Sequence, residues 1–270
     1  MAQIDEKIYG QSKTKLESIF NAGTFVELGA YTKRNGSESD FEGVLCGYGA
    51  VNGELAFAFV QDSGRTKGAF GERHAKKIAN LYALAVKNGA PVVGVFDSAG
   101  AVIYDGAAAL AAYGKFMKCV SDASGVIPQI AIIDGVCGGA SAVLASSFDF
   151  LISVKDSAEI YAVSPFVNGT KSTPASDGIS AYEAEDEADL YRFARNLIGF
   201  LPSNNNEGTA VDAEIPDFEL QRAPNISSLC GETLIAEIAD KKNYIRLFAD
   251  YAPEIAVGFA SVGGIGCAYM

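Results

Sequence analysis

The sequence has few of the residues that hold metals or disulfide-linked folds. It contains one histidine, His74, and five cysteines, Cys46, Cys119, Cys137, Cys230 and Cys267. The cysteines are scattered, odd in number and without C-x-x-C spacing, which is typical of reduced thiols in a cytoplasmic protein and argues against a zinc site. With one histidine and no Asp/Glu cluster at ligand spacing, we expect no metal. We expect the histidine to be solvated or structural.

Long apolar runs and excess positive charge are also missing. No stretch reaches the 18 apolar residues of a membrane span, so we expect no direct membrane insertion. Residues 1–20 are charged and lack an apolar h-region, which argues against a secretory signal and favours a cytoplasmic location. A formal charge of -12 disfavours nucleic acid and anionic membrane surfaces as partners.

The sequence is rich in short apolar segments that predict helices and strands. Apolar residues make up 49% of 270 residues, which suits one large domain or one and a half ordinary ones. Leu16, Ile19 and Phe20 share one face of a predicted N-terminal helix. Residues 44–62 predict two strands joined at Asn52-Gly53, a strong hairpin signal.

Strands then alternate with helices along the chain. Residues 91–97 and 128–134 predict short buried strands, and helices are predicted at about 105–123 and 184–200. Continuous apolar strands that alternate with helices predict an α/β fold, with a mostly parallel sheet covered by helices.

The pattern of the hairpin recurs near the C-terminus. Residues 255–269, IAVGFASVGGIGCAY, match residues 44–58, VLCGYGAVNGELAFA, at an offset of 211 residues. Each copy follows a predicted amphipathic helix and a short turn. Because no solenoid has so long a period, the repeat suggests a duplicated module, although small and apolar residues can also match by chance. We interpret residues 1–202 as one module and residues 203–270 as a linker and the truncated start of a second.

A glycine-rich turn follows the strand at 128–134. Within IIDGVCGGASA, Gly135, Gly138 and Gly139 precede a predicted helix. The G-x-x-G-G spacing does not fit a dinucleotide fingerprint, and no lysine stands there to complete a phosphate loop. Close packing of the helix on the strand is a purely structural alternative.

A second turn of the same plan follows the preceding strand, in VFDSAGAVIYDG, residues 95–106. Neighbouring parallel strands end at the same edge of a sheet, where ligands bind in open α/β folds. Two backbone N–H groups that converge there would form an oxyanion hole, in which each donor is worth about 2.7–4 kcal/mol. The side chains in both turns are small, so the backbone would have to perform the chemistry.

Six motifs in order resemble the crotonase fold and, more narrowly, the carboxyltransferase subunits of biotin-dependent acyl-CoA carboxylases and decarboxylases. The motifs are GTFVELGAY (23–31), GYGAVNG (47–53), GAFGERHAKKI (68–78), DSAGAVIYDG (97–106), ASGVIPQIAIIDGVCGGASA (123–142) and FLPSNN (200–205). The resemblance covers most of residues 12–206 and implies repeated ββα units. It further implies that the chain is the N-terminal, acyl-CoA-binding half of such an enzyme.

The resemblance also implies the chemistry and its site. A carboxyl group would move between carboxybiotin and the α-carbon of a short acyl-CoA, through a thioester enolate. The thioester oxygen would be held by the amides of Gly139 and Ala140, with Ala101 as the donor from the other turn. Acyl-CoA contacts are predicted at Gly68, Ala69, Phe70, Gly100, Tyr104, Gly138, Ser141 and Lys76.

Two of these predictions leave an alternative open. A basic cluster would face the phosphates of coenzyme A, or would simply be a solvated helix face; its members are Arg65, Lys67, Arg73, Lys76 and Lys77. Tyr104 would shape the acyl site or belong to the core.

The sequence also departs from the patterns of the resembled families. The glutamates of hydratase-type crotonases are replaced by Val143 and Phe166, which argues against hydratase chemistry because no paired carboxylates remain. The usual DSGGARIQEG is changed at Ala99, Val102, Tyr104 and Asp105, and residues 163–180 are shortened. These changes would alter acyl specificity or contacts near the biotin channel, or mark a subunit without activity.

Biotin and the second module would come from partners. No Met-Lys-Met biotinyl motif is present, so biotin would arrive on a carrier protein, and another chain would supply the C-terminal module in a homo- or hetero-oligomer. Three alternatives remain: a malonyl-CoA-class decarboxylase that needs no biotin, a non-catalytic scaffold subunit, and turns that are small for packing alone. The sequence names neither the acyl group nor the direction of transfer.

Overall fold

The computed structural model describes residues 6–33, 41–163, 174–208 and 231–270, and for residues 6–10 and Thr66 the backbone only. An eight-stranded sheet forms the centre of the protein. Its strands are β1 Val26–Leu28, β2 Val44–Val51, β3 Glu54–Gln61, β4 Val92–Ser98, β5 Gln129–Gly138, β6 Phe150–Val154, β7 Glu159–Tyr161 and β8 Tyr182–Ala184. The α-helices of the same part are α1 Glu6–Ile19, α2 Glu72–Asn88, α3 Ala107–Ala123, α4 Ala140–Ala145 and α5 Glu187–Phe200.

The sheet is antiparallel at one end and parallel elsewhere. The strand order is β1-β2-β3-β4-β5-β6-β8, and β7 pairs with the far end of β5. The pairs β1–β2 and β2–β3 are antiparallel, whereas every pair from β3–β4 onward is parallel. The predicted mostly parallel α/β sheet is thus confirmed. The carboxyl ends of β4 and β5 lie side by side, as the site prediction requires.

Helices cover both faces, which explains the continuous apolar strands. Along β5, Ile130 and Ile132 pack into the core under α1 and α5, whereas Ala131 and Ile133 pack into the core under α2 and α3. Alternate side chains of a strand point to opposite faces, so a strand covered on both needs apolar residues at every position. The predicted face of the first helix is confirmed, since Leu16, Ile19 and Phe20 are buried.

The predicted hairpin is also confirmed. Val51 of β2 pairs with Glu54 of β3 across the turn at Asn52 and Gly53. Both turn residues have positive φ, 53° and 93°. A two-residue turn of this hand matches the twist of the strands, and Asn-Gly accepts it at low cost.

Near the C-terminus the structure repeats the order helix, strand, strand, strand. The elements are α6 Glu232–Ile238, β9 Tyr244–Leu247, β10 Val257–Val262 and β11 Ile265–Tyr269, and the strands form an antiparallel sheet in the order β11-β10-β9. Val262 pairs with Ile265, each 211 residues beyond the pair Val51 and Glu54. The two hairpins therefore share one register, which agrees with the repeat seen in the sequence. The boundary between modules at residue 202 remains a prediction.

The small sheet packs against the same face of the main sheet as α5. The ring of Phe259 lies 6.0 Å from Phe150 and 6.4 Å from Phe200, measured between centroids. Ile245 and Leu247 join the core of that face, and the Phe248 N–H donates to Ala181 O at 2.7 Å.

In the described ranges no helix combines the length and the apolar character that crossing a membrane would need. The described cysteines are free thiols, and Cys230 lies outside the described residues. Burial raises the pKa of Cys46 and of Cys137 to about 12, so both thiols stay protonated at neutral pH.

Candidate active site

Two turns meet at the carboxyl edge of the sheet, after β4 and after β5. Ser98 at the end of β4 is the register partner of Cys137 in β5. Ala101 and Ala140 each follow that pair by three residues, so the topology brings the two predicted turns together. Within the described residues, neither the Ala101 N–H nor the Ala140 N–H has a hydrogen-bond partner. Both amides are free to bind a ligand oxygen.

The N–H of Gly139 is not available as the oxyanion donor that was predicted from the sequence. Its N–H donates to Tyr161 O of β7 at 2.8 Å, so this amide is already engaged. Its backbone, at φ 63° and ψ -126°, reverses the chain so that α4 begins at Ala140. A residue with a Cβ adopts this conformation only with strain, which explains glycine here.

Close packing explains why the other two residues of the turn, Gly135 and Gly138, are glycines. A Cβ on Gly138 would lie 2.8 Å from the ring of Tyr161, and a Cβ on Gly135 would collide with the carboxylate of Asp97. That carboxylate accepts a hydrogen bond from the Val136 N–H at 3.2 Å and so ties β4 to β5. Close packing thus explains these two positions, although the neighbours are strands β7 and β4 and not the helix that the structural alternative named.

A third segment, residues 67–70, braces the turn after β4. The Phe70 N–H donates to Gly100 O at 2.9 Å, and the Val102 N–H donates to Phe70 O at 2.9 Å. These two backbone hydrogen bonds pair Phe70 with Ala101 in an isolated parallel β-bridge and hold the chain on both sides of Ala101. Gly68 packs so closely that a Cβ there would collide with Asp97 O. The Phe70 side chain is buried beneath the turn with Tyr113 and Phe116, so it supports the site from the core and does not line a pocket.

A cavity of about 400 Å³ opens beside this turn. Small residues line it, Ala69, Gly100 and Ala101 among them, and charged side chains surround them, which are Glu42, Lys67, Glu72, Arg73 and Asp105. Tyr104 also lines the cavity, and its side chain is fully exposed, so it is not a core residue. Four residues predicted for the site therefore line one cavity: Ala69, Gly100, Ala101 and Tyr104.

The predicted basic cluster is divided between two places. Lys76 lies in a neighbouring depression of about 500 Å³, together with Lys33 and Arg73. Lys77 is buried, where its ammonium donates to Val44 O at 2.7 Å and lies 3.7 Å from Glu27 Oε1. Lys77 is therefore committed to the core, whereas Lys67, Arg73 and Lys76 remain at the surface.

Hydratase-type glutamates are missing from the described part of the site. Val143, in the first turns of α4, is half-exposed beside the turn and carries no ionisable group. Phe166 lies outside the described residues, as does much of the shortened segment 163–180. What the described site offers is two backbone donors in a wall of small residues, which can bind a developing oxyanion.

A buried Glu42–His74 pair near the cavity was not found by sequence analysis. His74 is fully buried, with Nδ1 3.5 Å from Glu42 Oε1 and Nε2 3.4 Å from the Gln61 amide nitrogen. Burial lowers the pKa of His74, although Glu42 opposes the shift. Burial alone would raise the pKa of Glu42, but His74, the Gly43 N–H and Lys77 together lower it. A neutral imidazole that accepts from Gln61 and points Nδ1–H toward Glu42 fits this arrangement. Sequence spacing gave no signal, because 32 residues separate the pair.

The single histidine gives a direct test of this pair. We expect its imidazole to remain neutral below its ordinary pKa of about 6.5, and to titrate normally when the chain is unfolded in urea. Because the folded-state pKa is depressed, the unfolded chain binds the proton first. The free energy of unfolding should therefore fall as the pH drops below about 6.5 toward the folded pKa. Imidazole nitrogen shifts measured by NMR would report one residue; titration at or above 6.5 in the folded protein would contradict a buried neutral His74.

Comparison with known proteins gives the site its context. The carboxyl transferase domain family matches residues 12–268. The alpha subunit of methylmalonyl-CoA decarboxylase from Veillonella parvula is 33% identical over 96% of this chain and 57% of its own length. The propionyl-CoA carboxylase beta chain of Saccharopolyspora erythraea is 30% identical over 94% of this chain and 53% of its own.

Solved structures agree in fold. The transcarboxylase 12S hexamer with bound methylmalonyl-coenzyme A superimposes with a TM-score of 0.85 and 28% identity, over 97% of this chain and 58% of that one. A malonate decarboxylase MdcD–MdcE hetero-dimer from Pseudomonas, 18% identical with a TM-score of 0.60, shares the fold. The chain spans about half the length of the curated relatives it matches.

Proposed function

The chain belongs to the carboxyl transferase domain family, and we propose that it is the acyl-CoA-binding part of a biotin-dependent carboxyltransferase. The predicted crotonase-like α/β fold of that family is confirmed by the sheet and by its likeness to transcarboxylase 12S. One observation carries the proposed activity: the free amides of Ala101 and Ala140 stand at equal register on neighbouring strand ends, and Ala101 lines an open cavity.

These amides would bind the carbonyl oxygen of an acyl-CoA thioester. When the α-carbon loses its carboxyl group, or loses its α-proton before it gains one, negative charge develops on that oxygen as the enolate forms. Fixed N–H donors bind the charged oxygen more strongly than the neutral one, so they lower the barrier and do not merely hold the substrate. No ionisable side chain of the described residues is needed for this step.

Biotin fits this chain only as a group presented from outside. Large apolar or aromatic side chains stand beside the free amides, namely Val102, Ile103, Tyr104 and Val143, and charged side chains line the rest of the cavity at Ala101. Nothing in the sequence resembles a biotinyl attachment motif. Carboxybiotin would supply the carboxyl group in one direction, and biotin would accept it in the other. This chain's own share would be to bind the thioester, orient its α-carbon and hold the enolate oxygen.

A partner chain would complete the site. Ile103 and Tyr104 line the cavity and are 88% and 100% exposed, and Leu110 of the following helix α3 is 74% exposed, which is unusual for large apolar side chains. Among the described strands β11 lies at an edge of the small sheet, whereas its counterpart β3 pairs in parallel with β4. We propose that a module carrying the corresponding strand pairs there, within a homo- or hetero-oligomer.

The substrate class follows from the relatives, whose names specify methylmalonyl-CoA and propionyl-CoA. We therefore expect saturable binding of a short acyl-CoA in calorimetric titrations with acetyl-, propionyl-, malonyl- and methylmalonyl-CoA. Free coenzyme A is the control that separates acyl contacts from contacts to the phosphates. If no thioester binds, alone or with the partner chains, the chain is a scaffold subunit. Decarboxylation of malonyl-CoA by the chain without biotin would instead favour a biotin-independent decarboxylase.

A further inference from the structure

A buried hydroxyl group lies beneath both turns of the site. Tyr113 of α3 is 4% exposed, and its Oη lies 2.9 Å from Oγ of Ser141. Ser141 is the second residue of α4, so it directly follows the free amide of Ala140. The hydroxyl of Tyr113 is thereby fixed to the turn after β5.

A second buried hydroxyl, that of Ser98, braces the turn after β4. Ser98 is fully buried, and its Oγ accepts a hydrogen bond from the Gly100 N–H at 3.2 Å. Burial raises the pKa of Tyr113, while the nearby hydroxyls of Ser141 and Ser98 lower it in part. Gly100 directly precedes the free amide of Ala101. Ser98 therefore braces the turn after β4 next to Ala101, while Tyr113 is hydrogen-bonded to the turn after β5.

The ring of Tyr113 is held as firmly as its hydroxyl. It stacks on Phe70, with the ring centroids 4.4 Å apart and the planes at 27°. The backbone of Phe70 is hydrogen-bonded on both sides of Ala101. A shift of Tyr113 would therefore disturb the turn after β4 through its ring and the turn after β5 through its hydroxyl.

We infer that Tyr113 is a positioning residue that sets the separation of the Ala101 and Ala140 amides. The inference rests on the proposed function, since it assigns these amides one oxygen to bind. The ring of Tyr113 packs on Phe70, which is bonded on both sides of Ala101. Its hydroxyl, which can donate or accept, holds Ser141 beside Ala140. In a dry core its hydrogen bonds do not compete with water and hold their geometry.

Tyr113 would act on the amides without contacting the substrate. Tyr113 is not among the residues that line the cavity at Ala101, and it packs with the core below the turns. Two donors stabilise an oxyanion only when both reach it at 2.7–3.1 Å, and misplacement by about 1 Å can cost 10²-fold in rate. The expected signature is a loss of carbonyl polarisation and of turnover with little loss of affinity.

The test compares Tyr113→Phe with wild type, using propionyl-CoA labelled with ¹³C at the carbonyl carbon. Difference infrared spectra report the carbonyl stretch of the bound thioester, which moves to lower frequency when both amides donate. We expect a clear shift with wild type and a smaller one with Tyr113→Phe, while the dissociation constant stays within about twofold. In the assembled enzyme kcat should fall about 10- to 100-fold, with KM nearly unchanged.

Two further variants make the result specific. Tyr82→Phe is the matched control, because Tyr82 is buried in the same aromatic core and its hydroxyl donates to Gln129 Oε1 at 2.9 Å, away from the turns. It should keep the full infrared shift. Ser141→Ala removes the other end of the Tyr113–Ser141 hydrogen bond and should reproduce Tyr113→Phe, so the test survives if one variant fails to fold.

The possible outcomes distinguish failure of the positioning role of Tyr113 from failure of the thioester site itself. A full shift in both Tyr113→Phe and Ser141→Ala would overturn the positioning role and leave the thioester site intact. An equal loss in Tyr82→Phe would also overturn it, because the effect would then be general softening of the core. Bound propionyl-CoA with no shift in wild type would overturn the two-amide site itself and this inference with it.

Discussion

Ala140→Pro should lower the rate of carboxyl transfer by about 10²- to 10³-fold, the effect of removing one oxyanion donor. Ala140 is the first residue of α4, the position at which proline is best tolerated in a helix. Its N–H has no partner in the described structure, so the substitution deletes the donor without breaking an internal hydrogen bond. The measurement is kcat for carboxyl transfer from methylmalonyl-CoA to biotin in the assembled enzyme.

A closely matched control exists in the neighbouring helix. Ala107 is the first residue of α3 and also follows a glycine with positive φ, since Gly106 has φ 51° and ψ -124°. Ala107→Pro therefore makes the same change in the same backbone setting, at an amide not assigned to the substrate. If both variants lose activity equally, or if neither does, Ala140 is not an oxyanion donor.

Proline at Gly139 would not give the same test, because the Gly139 N–H already makes a hydrogen bond. Proline there would remove the bond to Tyr161 O and would demand φ near -65° where the chain has 63°. Loss of activity in such a variant would report damage to the turn. Of the two amides of this turn that were predicted as donors, only that of Ala140 can therefore be removed cleanly by proline.

Phe116→Ala should lower the free energy of unfolding by about 3–5 kcal/mol, the range for a large aromatic removed from a packed core. Phe116 of α3 is 1% exposed and lies 5.5 Å from Phe59, 5.7 Å from Phe70 and 6.5 Å from Phe96, between ring centroids. These rings join the helix layer to the sheet directly below the two turns. Truncation leaves a cavity that a rigid sheet cannot collapse to fill.

The measurement is urea unfolding followed by circular dichroism, with a lower midpoint and an unchanged slope expected. Met117→Ala is the control on the same helix, because Met117 is 36% exposed and its truncation changes helix propensity with little loss of packing. Equal midpoints for the two variants would mean that the aromatic cluster does not carry the stability assigned to it.

Local pattern was enough to predict most of the fold. The hairpin at Asn52-Gly53, the buried face of α1 and the two strands ending in small-residue turns all depend on neighbouring residues and regular spacing. The repeat was visible because strand register follows the order of small and apolar residues, which both copies share. The family resemblance rested on such ordered local motifs, and the family match confirms it.

Tertiary structure decided which groups within those motifs are available. Gly139 and Ala140 are adjacent in sequence, yet only one N–H is free, because β7 arrives from residues 159–161 to bind the other. Phe70 was expected in the pocket and lies in the core, since the bridge to Ala101 turns its side chain inward.

The pairs His74–Glu42 and Tyr113–Ser141 span 32 and 28 residues. Their members meet only because separate helices and strands pack on one sheet. The chain's own sequence determined which segments become strands, helices and turns, since these follow from spacing and local conformational preference. Which amide is free, and which hydroxyl holds it in place, depends on contacts between distant segments that no local pattern encodes.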